Sequence, residues 1–184
     1  MTETMDIKIE RTAKSKLNEV DLDNPIFGKQ YADHMFIADY KNGEWTDLRI
    51  VPYGNLSLSP AMTTLHYASS IFEGLKAYRG SNGDILVFRP EANAKRMITS
   101  AERMCMPPVP ESLFMNSMTE LLKVDSDWVP GAPGTSLYIR PFQMAMDPYI
   151  GIKPSETYSF LIITGPVGAY YSQPVKVKIE KPKP

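Results

Sequence analysis

A single cysteine, Cys105, is all the thiol chemistry this 184-residue chain carries. An intrachain disulfide is therefore excluded, and a reducing compartment suits it. Cys105 lies in the apolar stretch Arg103-Met104-Cys105-Met106, where a thiol is expected to act as a small buried hydrophobe. Only 2 histidines accompany it, and no ligand spacing describes a metal site, so none is expected. Charge of one sign is missing too: 20 Lys and Arg stand against 21 Asp and Glu, a net charge of -1. That balance points away from nucleic acid, whose binders present basic surfaces, and no charged run suits an anionic membrane. No apolar run reaches the roughly 18 residues of a membrane-spanning helix. The opening Met1-Thr2-Glu3-Thr4-Met5-Asp6 lacks the basic-then-apolar order of a signal peptide. A cytoplasmic protein is the expectation. GxGxxG, Walker, GxSxG and HExxH patterns are all absent, which removes the commonest motif-bearing chemistries.

What is present is an ordinary globular pattern. Residues 1 to about 20 mix charges with few large apolar side chains and read as a tail or a loosely docked strand. Met35 to Tyr40 and Trp45 to Val51 read as strands around Lys41-Asn42-Gly43-Glu44, where Asn-Gly suits a turn that needs positive φ. A second hairpin joins Leu75–Arg79 to Ile85–Arg89. Between the hairpins, Thr63 to Phe72 reads as a short helix closed by Gly74. In Glu91 to Met104, Ala94, Met97, Ile98, Ala101 and Met104 repeat at helical spacing. Glu111 to Val124 is a third helix, with Phe114, Met118, Leu121 and Leu122 on one face. Leu137 to Ala145 and Tyr158 to Thr164 read as strands, the second almost wholly apolar and so central. Val175, Val177 and Ile179 alternate with Lys176, Lys178 and Glu180, the period of a half-exposed strand. The class expected is α+β, a mostly antiparallel sheet with flanking helices.

Several side chains at element ends could hold an anion. Arg96, on the flank of the Glu91 helix, can present a guanidinium fork, though such arginines are commonly just solvated. Tyr138 and Arg140 are two apart in one strand and share a face of the sheet. That pair suits a carboxylate, or an ordinary solvent face. Tyr170 and Tyr171 follow the turn Gly165-Pro166-Val167-Gly168, a loop at a strand end or a packed domain edge. His34 and His66 read as structural hydrogen-bonding residues rather than bases.

Longer segments carry a resemblance. Phe27-Gly28-Lys29-Gln30-Tyr31-Ala32-Asp33-His34-Met35, Asn55-Leu56-Ser57-Leu58-Ser59-Pro60 and His66-Tyr67-Ala68-Ser69-Ser70-Ile71-Phe72-Glu73-Gly74-Leu75-Lys76-Ala77-Tyr78-Arg79 come first. Trp128-Val129-Pro130, Gly134-Thr135-Ser136-Leu137-Tyr138-Ile139-Arg140-Pro141 and Gly165-Pro166-Val167-Gly168-Ala169-Tyr170-Tyr171 follow in order. Together they resemble the branched-chain amino-acid aminotransferases, fold-type IV pyridoxal-phosphate enzymes, over about Asn24 to Glu180. The D-amino-acid aminotransferases and aminodeoxychorismate lyases share that fold and are the alternatives within it.

The resemblance implies a homodimer whose subunits have a small N-terminal domain and a larger second one, with pyridoxal phosphate between them. It implies transamination of leucine, isoleucine and valine with 2-oxoglutarate, the cofactor serving as electron sink. By position in the matching segments, Arg96 corresponds to the cofactor-phosphate arginine. Tyr31, Phe72, Tyr138, Arg140 and Tyr170 correspond to substrate-pocket residues. Tyr67, Ile150 and Ile152 correspond to residues that reach the pocket from the partner subunit. The Schiff-base lysine belongs to a Gly-rich segment that this chain does not contain, so no catalytic residue is assigned and the 184 residues alone are expected to be inactive. The expected division is a tail over 1–20, a small domain over 21–174 and the start of the larger domain over 175–184. A stand-alone domain binding phosphate or a partner, without catalysis, is the other reading.

Overall fold

The computed structural model describes residues 5–169 and 173–180. Its strands are β1 (Lys8–Ile9), β2 (His34–Lys41), β3 (Glu44–Pro52), β4 (Ser70–Phe72), β5 (Leu75–Arg79), β6 (Ile85–Val87), β7 (Ser136–Ala145) and β8 (Tyr158–Val167). They form one sheet in the order β1-β3-β2-β8-β7-β5-β6, with β4 pairing β7 beside that path. Every pairing is antiparallel except that of β1 with β3. β2 and β3 meet at Asn42 and Gly43, whose φ values of 55° and 88° are the left-handed turn that Asn-Gly favours. β8 lies between β2 and β7. That central place accounts for its run of apolar residues, since both faces and both edges are covered.

Alternation along the strands sorts side chains onto two faces. Phe36 and Ala38 of β2, Leu137 and Ile139 of β7, and Phe160 and Ile162 of β8 face the main core. Against it pack α2 (Pro90–Arg103), through Ala94, Met97 and Ala101, and α3 (Glu111–Val124), through Leu113, Phe114, Met118 and Leu121. Phe160 is the hub, with the rings of Phe36 and Phe114 at 6.0 and 6.1 Å. Each such aromatic contributes about 1.5–3 kcal/mol by leaving water. The opposite face carries a smaller cluster of Met35, Ile37, Met62, Met144 and Leu161. Among the described residues, no helix longer than the five residues of α1 (Thr63–Tyr67) accompanies that face.

Several expectations are corrected. The helix expected over Thr63–Phe72 stops at Tyr67, where Ala68 turns left-handed at φ 53° and donates its N–H to Thr64. Ser70–Phe72 instead forms β4 on the edge of β7 and buries Ile71. Pairing with a distant strand outweighs local helical preference there. The strand expected to reach Arg89 ends at Val87, because Arg89 is left-handed at φ 46° and leads into Pro90 at the first helical position. Met104 and Cys105 are exposed rather than buried, since the chain turns left-handed at Cys105 (φ 53°) and gives the buried place to Met106. Val175–Glu180 is not a strand: with no ladder partner among the described residues, Val177 and Ile179 stay exposed.

Residues 5–20 dock more firmly than a tail. Thr12 donates its N–H to His34 Nε2 (2.9 Å), while Ser15 Oγ and the Lys16 N–H donate to Asp33 (2.5 and 2.9 Å). Trp128 Nε1 donates to the same carboxylate, and His34 Nδ1 meets Asp125 at 2.6 Å. Because Nε2 accepts from Thr12, the proton of this imidazole sits on Nδ1 and points at Asp125. His34 and His66, the latter 2.8 Å from the Pro60 carbonyl, are thus structural partners as read from sequence.

Candidate functional site

β7 meets two short strands on one edge. Its residues 142–144 pair β4, and residues 137–139 pair β5. The break between them is Glu73–Gly74, opposite Arg140–Pro141. Pro141 has no N–H to give a neighbour, and its carbonyl instead accepts the Glu73 N–H at 2.8 Å. The interruption opens the sheet edge beside Tyr138 and Arg140.

Those two side chains share a face, as their spacing implied, and it is the face away from α2 and α3. Arg140 donates from Nε and Nη2 to the Tyr138 hydroxyl (3.2 and 2.9 Å), leaving the hydroxyl proton to donate elsewhere. The guanidinium lies 4.4 Å over the ring of Phe72 and 5.3 Å from that of Tyr138. Aromatic faces attract the cation and hold it flat. Phe27 packs edge-on against Tyr138 at 5.5 Å. Tyr31, stacked on Tyr53 at 4.8 Å, closes the cleft from the other side. The cleft measures about 190 Å³ and is lined by Phe27, Gln30, Tyr31, Tyr138, Arg140 and Ile163, among others. It is a mostly apolar recess, with Gln30 and Thr164 as further polar groups and Arg140 as the one cation among its described lining residues.

Two glycines make this approach possible. A β-carbon on Gly165 would collide with the Gln30 carbonyl, so only glycine lets the segment carrying Tyr31 lie against β8. A β-carbon on Gly74 would collide with the Tyr138 hydroxyl.

Arg96 stands on α2 next to the same break. It gives Nε to Glu73 Oε1 at 2.6 Å and Nη2 to Glu73 Oε2 at 2.5 Å. Asn93 Nδ2 adds a bond to Oε2 at 2.8 Å. Burial pushes the Glu73 carboxyl up, but the bonds from Arg96 and Asn93 and the Arg96 charge outweigh it and hold it below the usual range. The Glu73 side chain is 3% exposed and that of Arg96 67%. Arg96 therefore spends one side of its fork on Glu73 and keeps the Nη1 edge toward solvent, a donor pair fit for a phosphate. Phe72-Glu73-Gly74 thus joins the two arginines: Phe72 to Arg140, Glu73 to Arg96, Gly74 to the space for Tyr138.

Tyr31, Phe72, Tyr138 and Arg140 come together, and Arg96 sits beside them through Glu73. Tyr170 lies outside the described residues. Tyr67, Ile150 and Ile152 are elsewhere, 41%, 65% and 96% exposed. Their two segments are tied together: the Thr63 N–H and hydroxyl donate to the Asp147 carbonyl (2.9 and 3.0 Å), and Met62 bridges Pro148. Sequence reasoning gave Glu73 and Phe27 no role of their own and took Gly74 only as the close of a helix. Their signal is contextual, an acid and a glycine that matter only because β4 breaks there.

The chain is 46% identical over 159 residues to "Branched-chain-amino-acid transaminase 1" of Bacillus subtilis (strain 168), a match covering 84% of this chain. It is 47% identical over 166 residues to "Branched-chain-amino-acid aminotransferase" of Mycolicibacterium smegmatis, covering 89% of this chain. This chain belongs to the branched-chain aminotransferase family. It spans about half the length of the curated relatives it matches, 45% in both of these. No protein-family model matches it. Among solved structures, the Escherichia coli branched-chain amino acid aminotransferase matches with a TM-score of 0.57 at 24% identity, covering 75% of this chain and 41% of that one. Another branched-chain amino acid aminotransferase, complexed with N-(5'-phosphopyridoxyl)-L-glutamate, matches at 0.52 and 23%, covering 73% and 41%. These likenesses establish the fold, the N-terminal α+β part of the fold-type IV branched-chain aminotransferases.

Proposed function

We propose that the full-length protein transfers the amino group of leucine, isoleucine or valine to 2-oxoglutarate, using pyridoxal phosphate, as a cytoplasmic homodimer. The observation that carries this reading is Arg140 lying between Tyr138 and Phe72 beside a mostly apolar cleft. Such a transaminase must take an aliphatic side chain in one half-reaction and the distal carboxylate of glutamate or 2-oxoglutarate in the other. Phe27, Phe72 and Ile163 would cover the aliphatic chain. Arg140 would answer the carboxylate, which would otherwise be buried unpaired at a cost of several kcal/mol. The Tyr138 hydroxyl, already accepting from Arg140, has a proton to give a substrate oxygen. Tyr31 would wall the cleft against water.

Arg96 would hold the cofactor phosphate through its outward edge. Bound pyridoxal phosphate would supply the electron sink for the negative charge developing at the amino acid's α-carbon. The relative solved with phosphopyridoxyl-glutamate supports both the cofactor and the second substrate. Tyr67, Ile150 and Ile152 would meet a second copy. A two-fold interface would present the same exposed apolar patch in both directions.

The test is turnover of the full-length protein loaded with pyridoxal phosphate. Leucine, isoleucine and valine should yield glutamate from 2-oxoglutarate. Turnover of D-alanine or of aminodeoxychorismate, with none of the three branched-chain amino acids, would overturn the reading in favour of another fold-type IV activity.

A further inference from the structure

We propose that Glu73 is a positioning residue that presets Arg96 for the cofactor phosphate, an inference that rests on the phosphate role proposed for Arg96. Arginine has two bidentate edges, one formed by Nε with Nη2 and one by the two terminal nitrogens. Glu73 occupies the first with both carboxylate oxygens, at 2.6 and 2.5 Å. The second is left outward on a side chain that is 67% exposed. A long exposed side chain unheld at its tip would sample many rotamers, and binding would have to order it. Here the ordering is already done by a buried acid.

The acid is itself fixed. Glu73 lies between Phe72 and Gly74 at the sheet break, its N–H is given to the Pro141 carbonyl (2.8 Å), and Asn93 Nδ2 bonds its Oε2 (2.8 Å). Asn93 precedes Arg96 by three residues on α2, so both reach the same carboxylate from one helix face. Glu73, which holds the guanidinium plane, thus sits in the same Phe72–Gly74 break that brings Phe72 over Arg140 and leaves room for the Tyr138 hydroxyl. The same acid places a negative charge beside a site for a dianion, which by itself would weaken binding. Positioning and charge thus make opposite forecasts for its removal.

The experiment measures, by equilibrium dialysis on the full-length apo protein, dissociation constants for pyridoxal phosphate and for pyridoxal, which lacks the phosphate. Glu73→Gln is expected to weaken pyridoxal phosphate binding about tenfold, the scale of one charge-assisted hydrogen bond. Pyridoxal affinity should hardly change. Arg96→Ala should weaken pyridoxal phosphate binding, and adding Glu73→Gln to it should bring no further loss, because Glu73 acts through Arg96. Unchanged or tighter pyridoxal phosphate binding in Glu73→Gln, with Arg96→Ala still weak, would overturn the positioning role while leaving Arg96 as the phosphate ligand. Equal losses for both compounds would also overturn it, reducing Glu73 to a fold-stabilising acid. No effect of Arg96→Ala would remove the phosphate reading and this inference together. Should Glu73→Gln fail to fold, Glu73→Asp keeps the charge but retracts it. A selective loss for pyridoxal phosphate would then support positioning, and none would refute it.

Discussion

Gly74 leaves the space that the Tyr138 hydroxyl fills. A β-carbon at position 74 would overlap that oxygen and come within 3.2 Å of the ring carbon bearing it. The φ of Gly74 is not in the left-handed region, so alanine fits the backbone and the objection is purely steric. Gly74→Ala should push the tyrosine aside and part it from Arg140. The expected loss in kcat/KM for 2-oxoglutarate is roughly tenfold or more, one charge-assisted hydrogen bond's worth. Adding Tyr138→Phe removes the colliding oxygen, so the double variant should be no worse than Tyr138→Phe alone. Independent, multiplying losses would show that Gly74 acts through something other than Tyr138.

Arg140 should separate the two substrates. Arg140→Ala removes the cation of the cleft but spares Phe27, Phe72 and Ile163. Specificity for 2-oxoglutarate should fall roughly ten- to a hundredfold, and that for leucine far less. Stopped-flow measurement of each half-reaction in the full-length enzyme decides this. Equal losses would move Arg140 to a structural role.

Legibility differed by element. Helix α3 was read to the residue, because Phe114, Met118, Leu121 and Leu122 repeat at helical spacing with no glycine or proline inside. The shared face of Tyr138 and Arg140 was legible because strand period is independent of context. Ser70–Phe72 was not, because its strand state depends on β7, some seventy residues away in sequence. Glu73 escaped notice for a related reason: nothing local tells a buried acid from a surface one until its arginine arrives from another helix. The physics of the residues went no further than an anion site, and the substrate roles came from the resemblance.

Asp147 should give the protein an acid-sensitive loop. Its carboxylate accepts from Thr157 Oγ1 (2.5 Å), the Thr157 N–H (2.9 Å) and the Glu156 N–H (3.0 Å), closing the segment that carries Ile150 and Ile152. Burial raises its pKa, but the bonds from Thr157 and Glu156 outweigh that and hold it below the ordinary 3.8. For an acid with a depressed folded value, the stabilisation is present above the ordinary value and is lost as pH falls through the folded one. Asp147→Asn turns an amide toward these donors and should cost about 1–3 kcal/mol at neutral pH. Thermal unfolding from pH 7 downward should show the gap between parent and variant shrinking below about pH 4. A constant gap would mean that the charge of Asp147 contributes nothing.

The N-terminal arm should prove part of the fold. Asp33 is buried and accepts from Ser15 Oγ, the Lys16 N–H and Trp128 Nε1, and His34 Nε2 accepts from the Thr12 N–H. Deleting residues 1–16 removes three of these four donors and the β1 pairing with β3. A buried acceptor stripped of its donor costs about 1–3 kcal/mol, and more when charged. The deletion should therefore lower stability by about 3 kcal/mol or more in urea, less whatever water recovers at the opened edge. A second signature is electrostatic. Burial raises the Asp33 carboxyl, and the Lys16 N–H, Ser15 and Trp128 outweigh it, keeping its pKa below 3.8. With the first two of these donors gone, the value should climb toward the ordinary 3.8. NMR titration of the Asp33 carboxyl carbon in parent and truncated proteins reads this directly. Full stability after truncation, with an unmoved Asp33 titration, would return residues 1–16 to the status of a loose tail.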